Sequence, residues 1–557
     1  MKYFPDEPSA NGIFTKAIIL AIPLLYLTAA LIYSADMAPW GRQVDPESAY
    51  AMNGLVAAAG YGSMKFDHPG TTTTLLVEII IRLWALVARP DDIVAFGFKN
   101  YDAIIYAARA CEAFILAGVL LIGGSIVRDA TESCLAAMLF QAAPFVHFET
   151  FHFEMVLIPE SLMAATAILS MALTVKVALD RNPPTVRFGV MSGLIFAFGF
   201  SSKYLFFPMA ALGVALLRNK RAYAAAFIAG VIAFVVFNLV LNPGTITRGF
   251  GWLFSIASHK GIYGHGEPGF IDFDVFWSNM GSIIAAAPLV SAIFGVAALS
   301  SLAQMIRARD YSDPVSGALL AACFVFVAQL VATSKHFALH YMMTSWVLAG
   351  GVLVLTIVQL RRLVPAIPAG ALAAVASAVC AILISSTLLA ARREALEWIA
   401  LDDTGARLSE AVAEAAPACA NVSSMSIRAP ENELNHGYDM TMAAWGDQAM
   451  KDRLSDAYAH AFKTPLLDQN VYTNRLAKNF RPYAYANLAA EYPCIVVRSN
   501  FELNDENSTR LLDLNPDHCV IERIHVYTVG TACTKIQRAF SAGAPSPVVT
   551  TSAGQTR

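Results

Sequence analysis

Residues 72–89 read TTTLLVEIIIRLWALVAR. A bilayer span needs about 20 mainly apolar residues, so this stretch approaches one in length. It also carries Glu78 and Arg82, four residues apart and therefore on one face of a helix. Whether it crosses the membrane decides the sidedness of every loop around it, and with that the architecture of the chain.

The remaining sequence frames the decision. Of 557 residues, 56% belong to the set AVILMFWYC and 15% are Asp, Glu, Lys or Arg. A typical soluble domain carries about 25% charged residues. The mean hydropathy of +0.52 belongs to a chain that places its apolar surface in lipid, so we read a polytopic α-helical membrane protein. Fibrous, disordered and small disulfide-scaffold proteins are excluded. The net charge of -3 gives no basic footprint, and nucleic acid is not an expected partner.

Apolar stretches long enough to cross lie near 13–35, 103–127, 132–148, 156–178, 222–241, 281–304, 315–333, 340–360 and 367–391. Two shorter ones, 188–201 and 204–218, meet at Ser201-Ser202-Lys203 as a tight hairpin. Orientation follows Lys and Arg in short loops. The clusters Lys176/Arg181/Arg187, Arg218/Lys220/Arg221, Arg307/Arg309 and Arg361/Arg362 are expected in the cytoplasm, and the spans between them agree in parity. Arg128 is then cytoplasmic too, and 103–127 runs inward. Lys2 and Lys16 place the N-terminus inside, so 13–35 runs outward as a first span rather than a cleaved signal peptide. Both ends of 36–102 are external. Stretch 72–89 therefore does not cross: we expect an amphipathic helix lying at the outer interface or dipping into a cavity, about eleven transmembrane helices, and an external C-terminus.

The expected organisation is a transmembrane catalytic domain over 1–391, with 36–102 as its external loop, then a small α/β extracytoplasmic domain over 392–540. A Ser/Thr/Pro/Gly-rich tail over 541–557 is expected to be disordered. Strand-like alternation falls at Val422–Arg428, Cys494–Ser499 and Val520–Val529, with helical patterns near 404–415, 440–462 and 483–491. Cys111, Cys134, Cys323 and Cys380 fall in spans as small apolar residues. Cys419, Cys494, Cys519 and Cys533 all fall in the C-terminal domain. Four cysteines in an oxidising space make two disulfides by one of three connectivities. Placement beside the expected strands favours Cys419–Cys494 and Cys519–Cys533.

Polar groups gather on the external side. The first loop offers Asp45, Glu47, Tyr50, Asn53, Asp67, His68 and Thr71. Asp45-Pro46 also reads as a helix cap followed by proline, and 67–71 as a turn. Glu149, His152, Glu154 and Glu160 surround the junction of the third and fourth spans. Lys203 sits at the hairpin tip, and His259, Lys260 and His265 lie in the 242–280 loop. Lys335, His336, His340 and Tyr341 join two later spans. Most such residues are solvated loop positions. Lys203 is the exception, because its apolar context demands an anionic partner, either Glu160 or a ligand. A carboxylate can act as general base, and Lys and His can stabilise a phosphate leaving group.

These motifs, in this order on this topology, resemble the GT-C superfamily of membrane glycosyltransferases over roughly 13–360. Protein O-mannosyltransferases and the lipid A aminoarabinose or galacturonic acid transferases are the nearer relatives. The resemblance implies that Asp45 in DPESAY, with Glu47 beside it, supplies the catalytic base. It implies that His68-Pro69, after Asp67 and with Tyr50 nearby, opens the interfacial helix. Pro159-Glu160, Gly199 to Lys203, and His340-Tyr341 also match. The second acid, often Asp in relatives, falls on Glu149 or Glu154, near His152. The chain departs from that pattern in reading His-Pro-Gly-Thr where relatives read His-Pro-Pro-Leu. Lys203, Lys335, His340 and Tyr341 are expected at the donor phosphate.

The implied reaction is inverting transfer from a polyprenyl-phosphate sugar donor to a lipid, glycan or protein acceptor. It would occur at the outer face of a plasma (inner) membrane, with membrane lipids around it. No cofactor is assigned; Asp45 with Glu47 or Glu154 offers ligands for a divalent metal ion. A lipid-linked sugar flippase or transporter is the alternative, and a membrane scaffold with an external binding domain is a third. Inverted repeats and a charged path to the cytoplasmic side, which a transporter wants, are missing from the sequence.

Overall fold

The computed structural model describes Phe4 and residues 12–37, 47–64, 70–180, 185–217, 219–241, 245–260 and 267–424. It further describes Leu434, 437–438, Thr441, 446–462, 466–470, 475–499, 502–503, Leu511, 514–522 and 524–542. Asp45, Asp67, His68 and His265, the far end of the expected strand at 422–428, and nearly all of the expected tail lie outside the described residues. The chain divides into two compact units. Met1–Ala35, Asn53–Arg89 and Ala103–Ala395 form the first, and Asp36–Met52, Pro90–Asp102 and Leu396–Arg557 form the second.

Helices up to residue 202 are α1 (Gly12–Asp36), α2 (Glu47–Ala58), α3 (Thr71–Ala88), α4 (Ile93–Lys99), α5 (Tyr101–Thr131), α6 (Cys134–Gln141), α7 (Phe148–Glu154), α8 (Pro159–Leu179) and α9 (Val186–Ser202). A 3-10 segment at Tyr204–Met209 leads into α10 (Ala210–Leu216) and α11 (Lys220–Val235), which continues as π-helix at Val236–Leu241. Then come α12 (Thr245–Ser258), α13 (Phe273–Ala286), α14 (Pro288–Ala308), α15 (Pro314–Lys335), α16 (Met343–Trp346), α17 (Ala349–Leu363) and α18 (Ala369–Ala415).

This is a multi-pass membrane protein. Among the described residues, eight helices are long and apolar enough to span, or nine if Leu339–Trp346 and Ala349–Leu363, bent by 42°, count as one. The expectation of about eleven differs for identifiable reasons. Stretch 132–148 breaks into α6, a 3-10 turn at Ala143–Phe145 and the start of α7. Pro144 cannot continue the hydrogen-bond ladder, and His147 caps the next helix by accepting from the amide of Glu149 at 3.2 Å. The hairpin stretches 188–201 and 204–218 form the short apolar helices anticipated for them. The stretch expected at 281–304 is still one span, beginning at Pro288, the first residue of α14.

By length and composition α3 qualifies as a span as well; at 1.5 Å per residue it is about 27 Å long. Its faces differ. Thr71–Thr74, Val77 and Ile81 are buried, whereas Leu83, Leu86 and Val87 are exposed. Arg82 and Glu78 form the ion pair that their spacing predicts, Nε to Oε1 2.8 Å. Asn53 ties the end of α2 to α3, donating to Ser63 Oγ at 2.5 Å and to Thr74 Oγ1 at 3.0 Å.

The second unit contains a seven-stranded sheet built from β1 (Ala420–Ser424), β2 (Leu467–Asn470), β3 (Arg475–Lys478), β4 (Arg481–Tyr483), β5 (Ile495–Ser499), β6 (Asp517–Ile521) and β7 (Ile524–Val529). Their order is β4-β3-β2-β1-β5-β7-β6. β1 runs parallel to β2 and β5, and the other pairs are antiparallel. Helices α19 (Gln448–Ala461), α20 (Tyr485–Glu491) and α21 (Cys533–Ala542) accompany it. Val422, Leu476, Leu488, Ile495, Val497 and Tyr527 lie in its core. The expected single strand over 520–529 is a hairpin, turning at Glu522, whose φ is 56°.

Both favoured disulfides are present. Cys419 and Cys494 immediately precede strands in register, Ala420 opposite Ile495. Cys519 on β6 joins Cys533 at the start of α21. Closing loops of 75 and 14 residues stabilises the domain by about 4 and about 3 kcal/mol on chain-entropy grounds.

Candidate functional site

The first unit holds a buried polar cluster around the tip of the α9–α10 hairpin. Lys203 follows the last residue of α9 in extended conformation. Gly199 permits the turn: a Cβ there would come within 2.5 Å of the Phe206 ring that folds back over it. Ser201 accepts from Asn238 Nδ2 at 2.7 Å, and Thr71 Oγ1 donates to Asn238 Oδ1 at 3.0 Å. The amide of Gly70 donates to the Ser202 carbonyl at 2.9 Å, and the Thr72 and Ser202 hydroxyls are 2.7 Å apart. The residues directly after His68-Pro69 are thus fastened to the turn that presents Lys203.

Lys203 is 4% exposed and forms an ion pair with the fully buried Glu160. Pro159 at the first position of α8 places Glu160 in its first turn, where the helix dipole favours an anion. The Lys203 ammonium lies 4.4 Å from the centre of the Tyr341 ring. His340 approaches the same carboxylate, with Nε2 3.8 Å from Oε1. Its ring packs against Tyr341 at 4.4 Å and Phe153 at 4.5 Å. Four residues from three separate short motifs therefore meet in space.

The α7 turn continues the cluster. His152 Nδ1 is 2.6 Å from the Tyr33 hydroxyl. Burial, then the charges of Arg109 and His340, push His152 down to about 3, so it is neutral at physiological pH. Arg109, buried in α5, donates to the Ser34 carbonyl at 3.1 Å and lies over the Tyr106 ring. The two candidate second acids differ. Glu149 is half-buried; burial raises its pKa while His340 opposes the rise. Glu154 is completely buried, neither of its oxygens has a hydrogen-bond partner among the described residues, and burial raises it well above the carboxylate range. That shift disfavours the carboxylate form that a general base needs.

Next to this cluster lies a cavity of about 260 Å³, lined by Lys203, Tyr204, Tyr341 and His336 and by apolar groups such as Trp252 and Leu253 of α12. Both ring nitrogens of His336 are buried and lack a hydrogen-bond partner among the described residues. Lys335, expected beside the phosphate, is placed differently. Its ammonium donates to the carbonyls of Ile256 at 2.7 Å and Ala257 at 3.1 Å and lies over the Phe270 ring at 4.6 Å. It caps the last turn of α12, where a cation complements the helix dipole, and so holds one wall of the cavity.

Glu47 and Tyr50 are buried on α2 and belong to the second unit. Among the described residues no group of three or more His, Cys, Asp or Glu could hold a metal ion. Tyr33, Arg109 and His336 were not singled out as site residues from sequence. Tyr33 and Arg109 read there as parts of spans, and His336 as one more loop histidine.

Comparison with known proteins gave two solved structures of ArnT from Cupriavidus metallidurans. The apo structure is similar at a TM-score of 0.45 with 13% identity, over 91% of this chain and 98% of that one. The structure bound to undecaprenyl phosphate is similar at 0.43 with 12% identity, over 92% and 98%. At these levels the likeness assigns neither residues nor substrate to this chain. No protein-family model and no curated protein sequence matches it.

Proposed function

We propose that the chain is an inverting membrane glycosyltransferase of the GT-C type, moving a sugar from a polyprenyl-phosphate donor to an acceptor at the outer membrane face. The observation that carries this reading is the cavity beside Lys203. Its lining combines apolar walls with an ammonium, an imidazole and two tyrosines, which suits a lipid with a phosphate head. In the reaction an acceptor oxygen bonds to the anomeric carbon while the bond from that carbon to the phosphate oxygen breaks. Asp45 takes the acceptor's proton, and polyprenyl phosphate leaves with one more negative charge than the phosphodiester carried. Lys203 and Tyr341 meet that charge. Glu149, facing His340, is the better second acid. With purified protein and a labelled polyprenyl-phosphate sugar, release of polyprenyl phosphate is expected. Movement of intact donor across vesicles without cleavage would establish the flippase instead.

The proposed topology has the N-terminus in the cytoplasm, α3 along the outer interface and the disulfide-bearing domain outside, in the periplasm of an inner-membrane protein. The loop charges support it, as do the two disulfides, which persist in oxidising compartments. In a background lacking Cys111, Cys134, Cys323 and Cys380, the free cysteines of the chain, Arg89→Cys is expected to react with a membrane-impermeant thiol reagent added outside. Labelling only after the inner face is opened would mean that α3 crosses.

A further inference from the structure

We propose that His336 is a proton-coupled ligand of the donor phosphate: its imidazole takes up a proton from solvent as the anion enters the Lys203 cavity. This rests on the reading of that cavity as a lipid-phosphate site. Two observations lead to it. The first is that both His336 nitrogens are buried at the cavity wall with no hydrogen-bond partner among the described residues, and leaving such groups unmade is costly. A phosphate oxygen in the cavity would accept from one of them.

The second is the charge balance. Lys203, which lines the cavity, is already paired with Glu160, with His340 beside that carboxylate. Lys335 directs its ammonium at the carbonyls of Ile256 and Ala257. Among the described residues, Trp252, Leu253 and Ile256 of α12 line the space, and the remaining titratable groups around it are Tyr204 and Tyr341. An anion entering there meets a lysine neutralised in advance, and an uncompensated buried charge is strongly unfavourable. Protonation of His336 supplies the missing positive charge at a hydrogen-bonding position. In the unliganded protein, burial and then Lys335 depress its basicity, so it starts neutral and has a proton to gain.

The sign of the linkage follows. The imidazole binds protons more tightly with ligand than without, so affinity is greatest at acidic pH and falls as pH rises through the imidazole range. The suitable probe is the methyl ester of undecaprenyl phosphate, a phosphodiester whose own charge is constant there. Titration calorimetry in two buffers of different ionisation enthalpy should show uptake of about one proton near neutral pH. His336→Asn and His336→Gln should bind about tenfold more weakly, the loss of one charge-assisted hydrogen bond, and should lose both the proton uptake and the pH dependence. Wild-type binding with no proton uptake, or variants that keep the wild-type pH profile, would overturn the role of His336 while leaving the cavity reading intact. Absence of any binding by the wild type would overturn both.

Discussion

Asp45→Asn is expected to lower transfer by about 10²–10⁴-fold, the usual contribution of a general base, with little change in folding. The choice of asparagine matters. Asp45 precedes Pro46 and α2, which begins at Glu47, so the same residue is a candidate helix cap. Asn caps a helix about as well as Asp, whereas Ala would cost about 1 kcal/mol. Asn therefore keeps any capping role and removes only the ability to accept a proton. A large loss of turnover at unchanged thermal stability assigns the base. Activity within a few-fold of wild type, with the protein folded, would remove Asp45 from the chemistry and return it to the role of a cap. The neighbouring Glu47 serves as the control, being buried at the first position of α2: if Glu47→Gln alone abolished turnover, the base would be Glu47.

The architecture was legible where physics writes a long signal. Long apolar stretches betray helices because lipid leaves the backbone no other way to satisfy its hydrogen bonds. The hairpin showed itself because Ser201-Ser202-Lys203 interrupts an apolar run. The disulfide pairing followed because Cys419 and Cys494 each precede an alternating segment, and strands in register bring their flanks together. Strands β2 to β4 left no such trace: LDQN, RLAK and RPY are short and largely polar, and successive pairing outward from β1 rather than alternation defines them.

In the site, Glu160, Lys203, His340 and Tyr341 could be found as motifs, but their meeting in space could not. The sequence left two partners open for Lys203, and only the fold shows Glu160 beside it. Glu154 looked equivalent to Glu149 because burial is invisible in a string of letters, yet Glu154 is fully buried and Glu149 only half-buried, and burial raises a carboxyl's pKa. The roles of Lys335 and His336 turned on where α15 ends. Lys335 ends α15 and aims at the carbonyls of α12, whereas His336 leaves the helix with φ -126° and ψ 87° and lies on the cavity wall.

Lys203→Met combined with Glu160→Gln is expected to recover stability without recovering function. Lys203→Met alone leaves the Glu160 carboxylate, 0% exposed, without its ammonium. Breaking a buried pair from one side typically costs about 3–5 kcal/mol. Neutralising Glu160 as well removes the orphaned charge, so the double variant should regain most of the lost thermal stability and show strong non-additivity in a double-mutant cycle. Binding behaves otherwise. The Lys203 side chain lines the cavity as well as touching Glu160 and lies over the Tyr341 ring, so an anion in the cavity would meet it directly. A phosphate that shares Lys203 with Glu160 loses its cation in the double variant no less than in the single one. Affinity for undecaprenyl phosphate should stay at least tenfold below wild type, a loss of about 1.4 kcal/mol or more, in a protein that melts near the wild-type temperature. Full transferase activity in the stable double variant would show that Lys203 serves only to neutralise Glu160, and the phosphate would then have to be held by other groups.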